Sequence, residues 1–351
     1  MKTIVADASL PGLDAFFCES FILKRYHDPK ELHQHIQTSD ILLCRATLKV
    51  DEKLLANSAI QMVASATSGI DHLDTDYLKS KGIRWFDAKG SNAEAVADYV
   101  LSCVAYLEHN NYLSTSKAGV VGLGEVGGRV YKRLKSIGYD VVAFDPLIGK
   151  APNNQNLLDF DALFDCDVLC IHANLHKTVP YPSFNLFNES VLSKLKSGTV
   201  VINAARGGIV NELALVNNNH PLIYCTDVYA NEPDIMPALV DYATLCTPHI
   251  AGHSIEAKYE AVYQISVQLH QHFQLPIPPH HQPEMLLDPI KPSKTWQDSA
   301  LSIYNPMIET KALKAHQTFS SLRKAHTFRH QFSSLDLSRL SERQKRLIIG
   351  S

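Results

Sequence analysis

The chain has 351 residues, enough for two or three domains. Apolar residues make up 45% of it and charged residues 20%, so large cores are available. With 33 basic against 36 acidic side chains the net charge is −3, which gives no electrostatic case for a nucleic-acid partner. The N-terminal apolar stretch ends at Asp7, too soon for a secretory signal, and no run is long enough to span a membrane. The seven cysteines are scattered, and Cys44, Cys103 and Cys225 sit inside apolar runs. That usage suits reduced core thiols in a cytoplasmic protein better than a disulfide framework.

In chain order, Ile4–Ala6, Ile41–Cys44 and Met62–Ala66 read as buried parallel strands. A long helix opens at Ser91-Asn92 and runs to about Glu108, with Ser91 and Glu94 spaced as in a capping box. The strand Ala118–Leu123 follows. Strands Val141–Phe144, Val168–Ile171, Val200–Asn203, Leu222–Val228 and Leu245–Cys246 then alternate with helices Val126–Ile137, Glu189–Lys196 and Asn211–Asn217. Such alternation predicts α/β lobes, doubly wound, with a parallel sheet and helices on both faces. Gln274–Pro292 holds six prolines and reads as a linker, with His280 and His281 solvated. Beyond it only Ile308–Ala315 is clearly helical, so the end of the chain should pack on the body or on a partner subunit.

Gly122, Gly124 and Gly127 form a G-x-G-x-x-G motif that follows a strand and opens a helix at Glu125-Val126. The first glycine permits the tight turn and the second lets a pyrophosphate approach the backbone. The third lets helix and strand pack closely, and the helix N-terminus offers free N–H groups to the phosphates. Asp145 closes the next strand, where a carboxylate can accept from an adenosine ribose. It would repel a 2′-phosphate, so NAD is the expected cofactor.

Three polar residues stand after later strands: Arg206 before Gly207-Gly208, Glu232 in Asp227–Pro233, and His249 in Thr247–Gly252. Oxidising a 2-hydroxy acid needs a guanidinium to hold the carboxylate, a base for the hydroxyl proton, and a carboxylate to orient that base. Arg206, His249 and Glu232 fit these roles in that order. From spacing alone each also fits a structural place: a surface Arg, a core His, a helix-start Glu.

Together, Gly122–Gly127, Asn203–Gly208, Asp227–Pro233 and Thr247–Gly252 resemble the D-2-hydroxyacid dehydrogenases over about 250 residues. The resemblance implies that Arg206 binds substrate, Glu232 tunes the base and His249 accepts the proton. It further implies that Asp227 contacts the nicotinamide carboxamide and that Gly252 lies against the cofactor. It places an NAD-binding lobe, 94–254, inside a flavodoxin-like substrate lobe, 1–93 and 255–275. The linker and a small C-terminal α+β dimerisation domain fill 276–351. The segments Leu43–Val50, Ala66–Asp74, Gly90–Ala93, His249–Lys258, Tyr304–Pro306 and Leu322–Lys324 narrow the likeness to the branch that oxidises a small phosphorylated 2-hydroxy acid on the way to pyridoxal phosphate. That branch is homodimeric. Arg45 and Thr67 are then candidate substrate contacts, and Arg45, Arg323 and Lys324 are candidates for the phosphate.

Three positions depart from the pattern. Ala46 replaces a serine, His172-Ala173-Asn174-Leu175 replaces His-Thr-Pro-Leu beside the cofactor, and His253 replaces a tyrosine. They bear on substrate contacts at Ala46 and His253 and on the cofactor contact at Ala173. Cys166, Cys170 and His172 lack a second Cys/His pair, so core thiols are expected rather than a metal site. Two alternatives stay open: a sister enzyme, such as one acting on 3-phosphoglycerate, and a non-catalytic NAD-responsive interaction protein. Intact Arg206, Glu232 and His249 weigh against the second.

Overall fold

The computed structural model describes residues 1–114, 117–148, 156–281, 283, 290, 293–327 and 329–350. The chain divides into two compact units, Met1–Asn92 with Ser254–Met285, and Ala93–His253 with Leu286–Ser351.

The first unit carries β1 (Thr3–Asp7), β2 (Ile22–Tyr26), β3 (Ile41–Cys44), β4 (Met62–Ser65) and β5 (Arg84–Asp87) in one parallel sheet, ordered β2-β1-β3-β4-β5. Every residue of β3 and β4 is buried, which is why these strands read as unbroken apolar runs. One face packs against Phe16, Phe17 and the returning helix Ile255–His272 through Val262, Ile265 and Leu269. The other packs against Leu32, Ile36, Leu55 and Leu78.

The second unit carries β6 (Lys117–Val121), β7 (Asp140–Phe144), β8 (Val168–Ile171), β9 (Val200–Asn203), β10 (Ile223–Thr226) and β11 (Leu245–Cys246). All are parallel, in the order β11-β10-β9-β8-β6-β7. Both sheets therefore reverse direction beside their first strand, at β1/β3 and at β6/β8. Ligands of open α/β sheets bind outside the carboxyl ends of the strands at that reversal.

Register sharpens the point. Phe144 pairs with Val121, Val121 with Ile171, Ile171 with Asn203, Asn203 with Thr226, and Thr226 with Cys246. The strands of this sheet thus end in one row. The residues just beyond, including Gly122, Ala173, Asp227 and, a few residues further along their loops, Arg206 and His249, are delivered to one edge.

The helix expected to open at Ser91-Asn92 spans Ala93–His109. Glu94 does not complete a capping box; it pairs with Arg133 and lies 3.2 Å from Arg129. The Ser91 amide that a capping box would use is already taken by the Ala88 carbonyl (3.1 Å), and an arginine on the next helix is a strong partner for the carboxylate.

The C-terminal segment is helical, with helices Trp296–Ile303, Met307–Lys314, Phe319–Ala325 and Glu342–Ile349. Among the described residues no strand follows β11, so the β part of the expected α+β domain is not seen. Capping explains the preference: Thr295, Thr318 and Ser341 each accept an amide at the start of a helix, and Ser341 with Gln344 closes a capping box. Nor does the segment stand apart. Ala300, Tyr304, Phe332, Leu340 and Ile348 enter the core beneath the second sheet. Asp98 accepts both from the Arg133 guanidinium and from the Phe332 amide (3.0 Å), while Arg133 also donates to the Ile348 carbonyl (3.2 Å).

Within the proline-rich stretch, residues 282, 284–289 and 291–292 lie outside the described residues. His280 and His281 are exposed, as expected, while His280 also lies 3.1 Å from Glu260 and 4.3 Å from the Tyr263 ring, and His281 lies 6.1 Å from Phe16.

Candidate active site

The glycine turn is built by close approach. Gly122 has φ +89°, and a Cβ there would lie 2.7 Å from the Ala173 amide nitrogen. A Cβ on Gly127 would overlap the Gly122 carbonyl oxygen. A Cβ on Gly124 would meet nothing, so open space lies over the N-terminus of the helix Glu125–Ser136. Two glycines required by packing and one facing open space fit a turn that admits a pyrophosphate against its N–H groups. Glu125 and Val126 supply the first helical amides. Asp145 fastens this turn: its carboxylate accepts from the Leu123 amide (2.8 Å) and the Leu147 amide (3.1 Å) while staying half-exposed.

Ala173 sits against Gly122 at the end of β8. The neighbouring His172 ring has both nitrogens buried without a hydrogen-bond partner, and burial pushes its pKa down to about 3. Burial likewise pushes the thiols of Cys166 and Cys170 up, to about 11 and about 12. Among the described residues no three His, Cys, Asp or Glu side chains are grouped so as to hold a metal ion.

After β9 the chain turns on Asn203. Its buried side chain accepts from the Ala205 amide (3.2 Å) and donates to the Arg206 carbonyl (3.2 Å), setting the loop that carries Arg206. Arg206 is half-buried and donates from Nη1 to the Ala205 carbonyl (2.8 Å). Gly207 is a residue whose importance the sequence did not reveal, because a Cβ there would overlap the Tyr229 carbonyl. Gly207→Ala must therefore push apart the loops after β9 and β10. We expect a loss of about 3 kcal/mol or more, since backbone cannot yield as a side chain can. Urea unfolding checks it, and an unchanged midpoint would show that the loops part freely.

Asp227 leaves β10 fully buried. One oxygen accepts from Thr247 Oγ1 (2.7 Å) and the Ile250 amide (2.7 Å), the other from the Ala251 amide (2.8 Å). Burial pushes its carboxyl up, and these donors with the nearby His249 offset part of that. Expected to meet a carboxamide, Asp227 thus commits most of its acceptor positions to the loop holding His249.

Glu232 and His249 are in contact. Imidazole Nδ1 lies 2.7 Å from Glu232 Oε2, and Glu232 Oε1 accepts the Tyr229 amide (2.9 Å). Burial alone would raise the Glu232 carboxyl. The His249 hydrogen bond, the Tyr229 amide and the Arg323 charge, 3.7 Å away, outweigh it and hold Glu232 below the usual range. A carboxylate at Nδ1 fixes the proton there, leaving Nε2 as the free basic nitrogen. His249 keeps 32% of its side chain exposed.

Gly252 and His253 continue this loop. Burial, then the charges of Arg323, His326, His249 and Arg329, push the His253 imidazole well below its ordinary range. Its ring lies 6.0 Å from that of His326. Lys324 is exposed beside Arg323. In the first unit, Arg45 follows β3 and donates from Nε to Asp7 Oδ2 (2.8 Å). Thr67 follows β4 and is half-exposed, with its carbonyl taking the Ala88 amide (3.1 Å), and Ala46 is exposed.

Residues 105–251 match the family model for the D-isomer specific 2-hydroxyacid dehydrogenase NAD binding domain. The chain is 47% identical over 335 residues to an erythronate-4-phosphate dehydrogenase of Legionella pneumophila, covering 94% of this chain and 95% of that one. It is 35% identical to one of Coxiella burnetii, covering 96% and 95%. Among solved structures it resembles a D-lactate dehydrogenase of Treponema pallidum (TM-score 0.66, 20% identity, 79% and 98% covered). It also resembles an NAD-bound formate dehydrogenase of Staphylococcus aureus (TM-score 0.64, 22% identity, 78% and 96% covered). These two share the fold. The glycine turn therefore lies in an NAD-binding domain, and the chain belongs to the D-isomer specific 2-hydroxyacid dehydrogenases, in their erythronate-4-phosphate dehydrogenase branch.

Proposed function

We propose that this protein oxidises 4-phospho-D-erythronate to (R)-3-hydroxy-2-oxo-4-phosphooxybutanoate with NAD, on the route to pyridoxal 5′-phosphate. The single observation that carries the reading is the His249–Glu232 pair, part-exposed and joined through Nδ1, on the strand-end edge that also holds Arg206 and the glycine turn. Near-full-length identity to proteins named for this substrate selects the hydroxy acid.

NAD, when bound, takes the hydride from carbon 2 of the substrate. Arg206 grips the carboxylate with two parallel hydrogen bonds and so fixes which face of carbon 2 is presented. His249 Nε2 accepts the hydroxyl proton, and Glu232 opposite Nδ1 stabilises the imidazolium that results. Asp227 acts from behind, and its remaining acceptor position is proposed for the nicotinamide carboxamide. Ala173 and Gly252 are proposed to line the cofactor, and Asp145 to meet the ribose. In the first lobe Arg45, Ala46 and Thr67 are proposed substrate contacts, as is His253 beyond the loop of His249. Arg323, already held beside Glu232, is the foremost phosphate candidate. Homodimerisation through the C-terminal segment and a cytoplasmic setting belong to the proposal. For the latter the support is seven free cysteines, six of them buried, and no described helix long and apolar enough to cross a membrane.

The test offers purified protein and NAD either 4-phospho-D-erythronate or 3-phosphoglycerate, with a 2-oxo acid present to regenerate bound cofactor. Selective turnover of phosphoerythronate is expected. Preference for 3-phosphoglycerate would move the chain to a sister activity, and turnover of no 2-hydroxy acid would leave an NAD-responsive binding protein.

A further inference from the structure

His249 has φ +57°, a left-handed conformation that a residue with a Cβ holds only when its surroundings dictate it. The dictation comes from both sides of the main chain that follows. On the amide side stands Asp227, bound to Ile250 and Ala251. On the carbonyl side stands Arg329, which reaches in from the C-terminal segment. Its guanidinium donates to the carbonyls of Ile250 (3.3 Å) and Ala251 (2.5 Å), and also to that of Ala95 (2.9 Å). It lies 4.4 Å over the Tyr304 ring and is 8% exposed.

A guanidinium buried mostly on neutral carbonyls is costly, and a plain packing role would be met more cheaply by an apolar side chain. What it offers that an apolar side chain cannot is direction. Planar donors fix two consecutive peptide carbonyls, just as Asp227 fixes the two amides of the same residues. Arg329 itself is held by the anchorage of Phe332, three residues on, whose amide is bound to Asp98.

We propose that Arg329 is a positioning residue for proton transfer: with Asp227 it clamps the main chain after His249 and keeps the imidazole on Glu232. The inference rests on the reading of His249 as the proton acceptor. It makes the C-terminal segment part of the working site, since without that segment one side of the clamp is missing.

The experiment compares Arg329→Gln and Arg329→Lys with Ser341→Ala, which removes a helix cap in the same segment without touching the main chain after His249. The first readout needs no substrate. It is the low-field proton resonance of the His249 Nδ1–H bond to Glu232, identified by its loss in His249→Ala. We expect Arg329→Gln to lose or broaden that resonance and to lower kcat about 100-fold, the scale of a misplaced reacting group, with NAD affinity kept. Arg329→Lys should fall between Arg329→Gln and wild type, and it serves should the Gln variant not fold. Ser341→Ala should lower the melting temperature and leave resonance and kcat unchanged. An intact resonance and wild-type kcat in both Arg329 variants would overturn the proposal, as would equal losses in Ser341→Ala. Should the wild type oxidise no 2-hydroxy acid, the functional reading fails on its own, while the resonance still decides what Arg329 does.

Discussion

His249→Asn should lower kcat by about 10²–10⁴-fold, the range a positioned general base contributes, while NAD still binds. The expectation follows from geometry. Glu232 Oε2 lies 2.7 Å from Nδ1, so the free nitrogen is Nε2, and asparagine has no basic atom to put there. The glycine turn proposed to admit the pyrophosphate is built from β6, β7 and β8 and does not depend on the imidazole. Single-turnover formation of reduced nicotinamide, alongside a binding titration, separates the two effects. A variant that kept wild-type kcat would show that the proton leaves by another route.

Arg206→Ala is the second large effect. Two charge-assisted hydrogen bonds at about 1.5–3 kcal/mol each imply a kcat/KM about 10²–10⁴-fold lower. The loss should fall on both parameters, because the carboxylate grip binds substrate and also aims carbon 2. Arg206→Lys should recover little, since an ammonium cannot form the two-pronged pair. Steady-state kinetics of both variants checks this. A lysine variant close to wild type would mean that charge alone suffices and that the loop set by Asn203 has no directional role.

The residues proposed to face reactants were legible in the sequence, and those that hold them were not. β3, β8 and β9 are buried along their whole length, so each appears as an apolar run ending at a polar loop. That pattern places Arg206 beyond a strand end, and the strands expected before Glu232 and His249 place those two likewise, without coordinates. The edge strands β2 and β5 escape the same reading. Their sequences, ILKRY and RWFD, mix polarity because each has one neighbour and a partly exposed face. Gly207 stands in the sequence only as a neighbour of Arg206, yet it is required by the Tyr229 carbonyl, which comes from the next strand's loop. Arg329 contacts Ala251, 78 positions earlier, and Ala95, 234 positions earlier. No local spacing announces a clamp assembled from three such distant segments. Asp227 shows a third kind of gap. The sequence reading set it inside the strand Leu222–Val228, whereas β10 ends at Thr226, and only the structure reveals that its buried carboxylate serves the loop of His249.

The central claim is hydride removal from carbon 2 of a phosphorylated 2-hydroxy acid, with the proton passing to His249. Its most direct test is a single turnover of 4-phospho-D-erythronate carrying deuterium at carbon 2. The account predicts one equivalent of 2-oxo acid per equivalent of reduced nicotinamide, with the deuterium on the nicotinamide ring and a slower rate than for the unlabelled substrate. Deuterium released to water, or no reduced nicotinamide from this substrate, would contradict it.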